Sequence, residues 1–570
     1  MKKIKSKKQI KESVDESFFL NFSNPRFLIL LVGLIVCMVY FKALGFDFVN
    51  FDDYKEILKN EQITNFSFRN FIDLFVNPNG DLYIPLVNLS FNIEHFFFGF
   101  NPKIFHFTNI SFHLMNSVLV FWISFKLFQN IKYSFILAIL FGIHPFRVES
   151  VVWIIERKDV MYAFFFLLSF LFYHLYKTSE NKKYYFFSIL LFVLSCFSKP
   201  MAVTLPAVLI VYDYFYLNRR NYKIILDKLP FFLISGLISI LAVKLIDSEI
   251  TYLPMIKNYN LFDHVVLFFH SLFFYFEKSI FPFNLSAIYN YPTKHNGLFD
   301  VYYYITSGLA FFSFILIFYF KRKDKILIGS LLLYLITISP VIQIFPNTYS
   351  LTADRYSYLP SIFLVGYLIY FLFLTLNKRG IDVISQNLFF FFIGILFAII
   401  SVVRLNAWKN SETLYVDILA KKQETPAIMC NYVDLLVQNN RINEAVILLK
   451  NANNKFPKRS EILARLGNTY FSKKQYKIAV KFYSEAVKID SSSSEILTNL
   501  GASLIKLKDY YAAIQILLKA YKLDDNNAIS CYNLGYCYWK LGDIKNSKKF
   551  MEKASNLNLS QANDFINENL

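Results

Sequence analysis

The chain is short of charge. Only 18% of its 570 residues are Asp, Glu, Lys or Arg, while 55% are hydrophobic and 19% aromatic. A soluble chain of this size carries about 25% charged residues, so a single soluble globule is excluded. Disorder is excluded too, because it requires low hydrophobicity. Cysteine is scarce: of 5 Cys, Cys37 and Cys196 lie in apolar stretches, and Cys430, Cys531 and Cys537 in a polar one. None has metal-ligand spacing, so no zinc site and no disulfide framework is assigned. There is no HExxH, no P-loop and no glycine-rich fingerprint. No small-x-small cleavage signal follows the first apolar run, 27–44, which is therefore expected as a retained helix.

What is present is length of apolar run. Candidate membrane spans fall at 27–44, 107–128, 133–143, 160–176, 184–198, 201–217, 229–246, 302–320, 326–342, 358–376 and 387–403, which makes about eleven. A further run, 262–283, holds Asp263, His264, His270, Glu277 and Lys278 and is expected as an in-plane or re-entrant helix. Lys and Arg cluster at 2–11, Lys126/Lys132, Lys177/Lys182/Lys183, Arg219/Arg220/Lys223, 321–325 and Lys378/Arg379. The positive-inside rule puts these clusters in the cytoplasm. They account for the net charge of +19 without nucleic acid as a partner. The outer segments then include 45–106, 144–159, 247–301 and 341–357, and nearly all the polar chemistry falls in them.

The polar C-terminal part repeats every 34 residues. Leu466-Gly467, Leu500-Gly501 and Leu534-Gly535 recur, as do Ala479/Ala513/Ser547 and Ala486/Ala520/Ala554. Leu436, Ala445, Ala452 and Pro457 form a looser earlier copy. This is the tetratricopeptide pattern, in which small residues let paired helices approach closely. The expected domains are a cytoplasmic basic N-terminus, 1–26; a transmembrane domain, 27–405, with a large first outer loop, 45–106; a linker, 406–425; four tetratricopeptide repeats, 426–561; and a tail, 562–570.

Several constellations can carry chemistry. Asp52 and Asp53 follow the first span, where paired acids are costly without partners. Their mutual repulsion raises one pKa and favours a general base, or else they cap a helix. The stretch His144-Pro145-Phe146-Arg147-Val148-Glu149, with Trp153 and Glu156-Arg157-Lys158-Asp159, mixes acids and bases and can bind an anionic head group through Arg157 and Lys158. Lys199 stands at a helix junction, where snorkelling is the simpler reading. Asp354 precedes Arg355, which either reaches the same phosphate or pairs with Asp354. His106, Asn109, His113 and Asn116 share one helix face and are expected as packing and hydrogen-bonding residues.

In order along the chain, FDDYKEILKN, YIPLVNLSFNIEHFFFGFNPKIFHFTNISFHLMN, LFGIHPFRVESVVWIIERKDVMYA, SKPMAVTLPAVLIVYD, EKSIFPFNLSAIY and LTADRYSYLPS, followed by the repeats, resemble the transmembrane and tetratricopeptide-repeat-containing O-mannosyltransferases. Ile84 stands where that family often has Arg, and Pro200 where it often has an acid. The resemblance implies an all-α fold: a polytopic GT-C-like helix bundle followed by a tetratricopeptide α-solenoid. It implies an inverting glycosyltransferase that takes mannose or another hexose from a polyprenyl-phosphate or dolichyl-phosphate donor to a protein hydroxyl. Asp52 and Asp53 are the implied base or acceptor-binding residues. Arg157, Lys199 and Arg355, with Lys158 beside them, are the phosphate-binding candidates, supported by His144, Glu149, Asp159 and Asp354. No cofactor is assigned. A divalent metal between acids and phosphate is left open, with no ligand set to define it. The repeats are expected to hold a polypeptide acceptor or partner protein, and the bundle contacts membrane lipid. The Lys, Asn, Ile and Phe bias fits an AT-rich bacterial genome, so the expected site is the inner cell membrane with extracytoplasmic repeats. The alternative is the endoplasmic reticulum with lumenal repeats. The competing function is a non-enzymatic membrane-anchored repeat scaffold or assembly factor for envelope proteins or glycans.

Overall fold

The computed structural model describes residues 24–78, 82–219, 223–245, 259–342 and 350–569. The basic cluster at 2–11, Arg220 and parts of the expected outer loops 247–301 and 341–357 lie outside the described residues. Among the described residues the fold is all-α, with β pairing confined to two isolated bridges, Tyr289 with Thr352 and His295 with Leu298. The chain divides into two compact units, Met1–Gln423 and Glu424–Leu570.

In the first unit every expected apolar run is a helix. Asparagine starts several of them: Asn24, Asn101, Asn130 and Asn181 each accept a backbone N–H of the first turn through Oδ1, at 2.9–3.2 Å. That satisfies a donor the helix itself leaves open. Among the described residues seven helices are long and apolar enough to cross a membrane: Pro25–Gly45, Pro102–Phe128, Ile154–Ser179, Ile224–Lys244, Val301–Lys321, Pro360–Lys378 and Val383–Trp408. The expectation is about eleven spans, and the remaining expected runs are shorter or bent helices. Ile131–Ile143 has 13 residues and turns by 53° into Pro145–Val152, so the two together make at most an eighth span. Lys182–Ser198, Pro200–Phe215 and Lys325–Ile338 are shorter than the roughly 20 residues that a hydrocarbon core of about 30 Å requires. Leu261–Ile280 is long enough, at 20 residues, but carries Asp263, Glu277 and Lys278. Protein groups meet its polar side chains: Lys294 pairs with Asp263 at 2.7 Å, and His270 Nδ1 lies 2.8 Å from Thr306 Oγ1.

The expected linker at 406–425 is not a linker. Asn406–Trp408 is a 3₁₀ turn and Ser411–Ala420 a helix that opens on a reciprocal cap between Asn410 and Thr413. Trp408, Leu414, Tyr415 and Ile418 are buried, and Arg404 pairs with Asp417 at 2.6 Å. The apolar spacing of Leu414, Tyr415 and Ile418 makes a helix face, and that face packs within the first unit.

The second unit stacks four helix pairs: Pro426–Gln438 with Ile442–Lys455, Ser460–Ser472 with Tyr476–Ile489, Ser494–Lys506 with Tyr510–Leu523, and Ala528–Lys540 with Ile544–Asn556. Ala445, Ala479, Ala513 and Ser547, and likewise Ala452, Ala486, Ala520 and Ala554, are wholly buried. A Cβ on Gly467, Gly501 or Gly535 would stand 2.6, 2.5 or 2.8 Å from Tyr483, Leu517 or Met551. The repeated glycine is therefore where paired helices meet. In the first pair Val433 takes that position and packs as a buried side chain. The expected tail is corrected as well: Ser560–Asn569 is a helix, and its Phe565 ring meets Trp539 at 5.2 Å. Gly501→Val is expected to overpack this contact by about 1–3 kcal/mol. Calorimetry on the full chain should show the repeat transition several degrees lower, and an unchanged transition would contradict the close approach.

Candidate functional site

The stretch 144–159 is two short helical turns and the head of a long helix. Pro145–Arg147 is a 3₁₀ turn, Val148–Val152 a short helix, Ile154–Glu156 a second 3₁₀ turn, and Arg157–Ser179 the long helix. Its kinks bring Glu149, Glu156, Lys158 and Asp159 into one cluster with Lys199 and Arg355. Arg355 lies between two glutamates: Nη1 is 2.7 Å from Glu149 Oε1 and Nε is 3.3 Å from Glu156 Oε1. Lys158 pairs with Glu156 at 2.8 Å. Lys199 pairs with Asp159, whose other oxygen accepts the Ser150 hydroxyl at 2.9 Å. The Lys199 ammonium also stands 5.8 Å from the rings of Tyr162 and Tyr356.

The cluster therefore holds three cations and three acids. Every acid is covered, and the cations reach furthest outward, with Arg355 16%, Lys199 10% and Lys158 7% exposed along the side chain. Each ammonium has two further protons to give, and Arg355 keeps its Nη2 group. Those unused donors, at the mouth of a low-dielectric cluster, are what an anion would meet.

The acids of the first loop separate. Asp53 is buried and pinned by two backbone groups: Oδ2 accepts from Val49 N–H at 3.1 Å and Oδ1 from Ile155 N–H at 3.0 Å. It ties the first loop to the 3₁₀ turn ahead of Lys158. Burial pushes its pKa up to about 7; the two N–H groups pull it down, Asp52 pushes it up and Lys158 pulls it down. Asp52 faces outward, within electrostatic range of both Asp53 and Lys158. Spacing alone left the two acids equivalent, and packing makes one a strut and the other an accessible carboxylate.

Three expected site residues point elsewhere. Arg157 is wholly buried and committed. Nη2 pairs with Glu94 at 2.8 Å and donates to Phe105 O at 3.0 Å; Nε donates to Asn109 at 2.8 Å and Nη1 to Ser90 at 3.0 Å. Its guanidinium stacks over Phe91 at 4.3 Å. Arg157 is thus corrected from phosphate ligand to clamp between the helices Pro85–Phe98, Pro102–Phe128 and Arg157–Ser179. Asp354 turns from the cluster to accept the Tyr289 hydroxyl at 2.7 Å, and burial lifts its pKa to about 6 against the pull of Arg404. His144 caps its turn: Nδ1 accepts from Phe146 N–H at 3.1 Å, which leaves Nε2 to donate to Ser279 O at 3.1 Å.

The polar stripe on Pro102–Phe128 faces inward and is buried, as its one-sided spacing implied. His113 bridges Tyr358 Oη at 2.7 Å and Gly142 O at 2.8 Å. Asn116 donates to Val160 O at 2.8 Å, and Asn109 to Ile154 O at 3.2 Å. The sequence reading names Arg147 within its motif without a role of its own, and does not single out Trp408. Arg147 is buried and donates to Ser357 and Ser361 at the head of Pro360–Lys378, which positions the turn carrying Arg355. Trp408 stacks on Trp153, with ring centroids 5.2 Å apart. The available signal was that Trp408 is one of only 4 Trp and follows the last span. Among the described residues no group of three His, Cys, Asp or Glu side chains is placed to hold a metal ion.

A membrane helix unit with a buried charge cluster, followed by a tetratricopeptide array, defines the class of protein. The comparisons agree with both parts. Residues 405–562 match the model described as Psidin, N-terminal TPR repeats region. The human protein O-mannosyl-transferase TMTC1 is 29% identical over 207 residues, which is 33% of this chain and 23% of that protein. Human TMTC4 is 28% identical over 228 residues, 35% of this chain and 31% of that protein. Mouse TMTC4 is 30% identical over 177 residues, 27% of this chain and 24% of that protein. The chain thus matches under a third of the length of these relatives. Among solved structures, a crystal structure of MamA is 25% identical with a TM-score of 0.21, covering 22% of this chain and 73% of that one. MamA from Desulfovibrio magneticus RS-1 is 18% identical with a TM-score of 0.25, covering 26% and 85%. The resemblance to the tetratricopeptide-bearing O-mannosyltransferases, first seen in the motifs, is met by these named relatives. The seven apolar helices fit a multi-pass membrane protein.

Proposed function

We propose that the chain is a membrane glycosyltransferase of GT-C type that moves a hexose, mannose in the first instance, from a polyprenyl-phosphate donor to a hydroxyl of a protein. The observation that carries this reading is an exposed carboxylate, Asp52, held beside a cluster whose outward groups are all cationic: Lys158, Lys199 and Arg355. A base and an anion site side by side are what displacement at a glycosyl phosphate requires. Asp52 takes the proton of the acceptor hydroxyl. The oxygen attacks the anomeric carbon from the face opposite the phosphate, the bond from that carbon to the phosphate oxygen breaks, and configuration inverts. The phosphate leaves with the electron pair, and the three cations stabilise the growing charge. Asp53 holds the loop that aims Asp52, and Arg157 holds the helix that aims Lys158. On this reading the reaction runs at the outer face of the membrane, and the repeats offer an extended surface to the polypeptide.

The test is donor turnover. The purified full chain, reconstituted with polyprenyl-phosphate mannose and an acceptor polypeptide, is expected to release polyprenyl phosphate. Arg355→Ala and Lys199→Gln are each expected to slow that release at least tenfold, through lost charge-assisted contacts. A wild-type chain that captures a polypeptide through its repeats and releases no polyprenyl phosphate would replace this reading with the scaffold.

A further inference from the structure

Around Arg355 four buried polar atoms have no hydrogen-bond partner: Glu149 Oε2, Glu156 Oε2, Trp153 Nε1 and Trp408 Nε1. Their residues are contiguous. The first oxygen of each glutamate binds the Arg355 guanidinium, which lies 5.3 Å from the Trp153 ring centroid, and Trp408 stacks on that ring. Native structures leave few buried polar groups unmet, so four on residues linked by contact call for a ligand or for ordered water. The mixture of types restricts the ligand. Two atoms can only accept, and two can only donate. A cation would satisfy the carboxylates and leave both indoles unmet. An anion would satisfy the indoles and be repelled by the carboxylates. A group that donates and accepts at once satisfies all four, and a ring bearing several hydroxyls does so.

We propose that Glu149, Glu156, Trp153 and Trp408 form the sugar subsite of the donor, recognising hexose hydroxyls next to the cations that hold the phosphate. This rests on the glycosyltransferase reading and adds to it. Arg355 then links the two halves, since the guanidinium that faces the phosphate also fixes both glutamates.

The test compares two lipids on the full chain in nanodiscs by calorimetry: polyprenyl phosphate, and the same lipid carrying mannose. Trp153→Phe keeps an aromatic ring and removes the N–H together with the second ring of the indole, and the bare-lipid arm controls for that loss of packing on Trp408 and Arg355. It is expected to weaken the mannosyl lipid about three- to tenfold, as one lost hydrogen bond does, and to leave the bare lipid unchanged. Glu149→Gln is expected to weaken the mannosyl lipid more than the bare one, and Lys199→Gln to weaken both alike. Equal binding of both lipids by Trp153→Phe and wild type would overturn the subsite, as would an equal loss for the two. Methyl mannoside alone, followed by saturation-transfer NMR, reads the subsite without the donor. If the wild type binds neither lipid yet shows transfer that Trp153→Phe loses, the donor reading fails and the subsite stands. If transfer to the mannoside is absent from the wild type, the subsite fails.

Discussion

Asp52→Asn should cut sugar transfer by about 10²–10⁴-fold, the usual contribution of a positioned general base. The same variant should melt within about 0.5 kcal/mol of the wild type, since it changes an outward-facing side chain. Asp53→Asn should behave differently. Its carboxylate accepts two backbone N–H bonds while buried, and an amide can accept only one of them well. The other N–H is left unmet, at about 1–3 kcal/mol. Stability and transfer should therefore fall together. The pH dependence separates the two acids further. The folded-state pKa of Asp53 is raised from 3.8 to about 7, chiefly by burial. The folded chain thus binds a proton there that the unfolded chain releases between those values. This group's contribution to stability grows as pH falls through about 7 and levels off below about 4. Asp53→Asn should flatten that slope and Asp52→Asn should keep it. Denaturation curves between pH 5 and 8 measure it, and a slope that survives in Asp53→Asn would refute the buried-strut assignment.

Arg157→Ala should cost about 3–5 kcal/mol of stability, the range for breaking a buried ion pair and leaving one charge behind. The abandoned charge is Glu94, and Ser90, Asn109 and Phe105 O lose their donor at the same time. Arg157→Met with Glu94→Gln should recover part of the loss, because both charges are then gone. Arg355→Ala should lose donor turnover and stability together, because Glu149 is left buried without its cation. Thermal unfolding of the detergent-solubilised chain reads both. If Arg157→Ala melted like the wild type and lost only donor affinity, Arg157 would return to the phosphate site.

The two arginines show where sequence reasoning stops. Both sit in motifs rich in charge, and both read as anion ligands. What separates them is a set of partners for Arg157 at positions 90, 94, 105 and 109, which no local pattern couples to it. The same limit applies to Asp52 and Asp53: adjacency announces a pair of acids, but only the approach of Val49 and Ile155 decides which one is buried. Asp354 looked like the partner of Arg355 and belongs to Tyr289, because consecutive residues on a 3₁₀ turn point in different directions. By contrast, the repeats were readable in detail. Their signal is a size constraint repeated every 34 residues, and Gly467, Gly501 and Gly535 carry it where helices touch. The polar stripe from His106 to Asn116 was readable for a similar reason, since helical period alone puts those residues on one face. The number of spans was less legible, because an apolar run reports burial as readily as membrane. Lys182–Ser198 and Lys325–Ile338 are apolar helices of 17 and 14 residues, at or below the lower end of the length that spans a bilayer core.

The long helix that begins at Arg157 shows how the unit keeps its site in place. Its first turn holds Lys158 and Asp159, and its last carries Lys177, some 30 Å away at 1.5 Å per residue. There Lys177 and the buried Lys228 share Asp213 and Asp227, and Tyr173 donates to Asp213 at 2.8 Å. A helix fixed by ion pairs at both ends resists the sliding that would misalign Lys158 with Asp52, and alignment of reacting groups is where much of an enzyme's rate resides.

The most direct measurement is the mass of the acceptor. The purified chain, in a bilayer, is given polyprenyl-phosphate mannose and a serine- and threonine-bearing polypeptide, and the polypeptide is weighed intact before and after. A gain of one hexose on a hydroxyl side chain, absent with Asp52→Asn, is the expected result. An unmodified acceptor from an intact, donor-binding wild-type chain would contradict transferase activity. An equal gain with Asp52→Asn would contradict the assignment of the base.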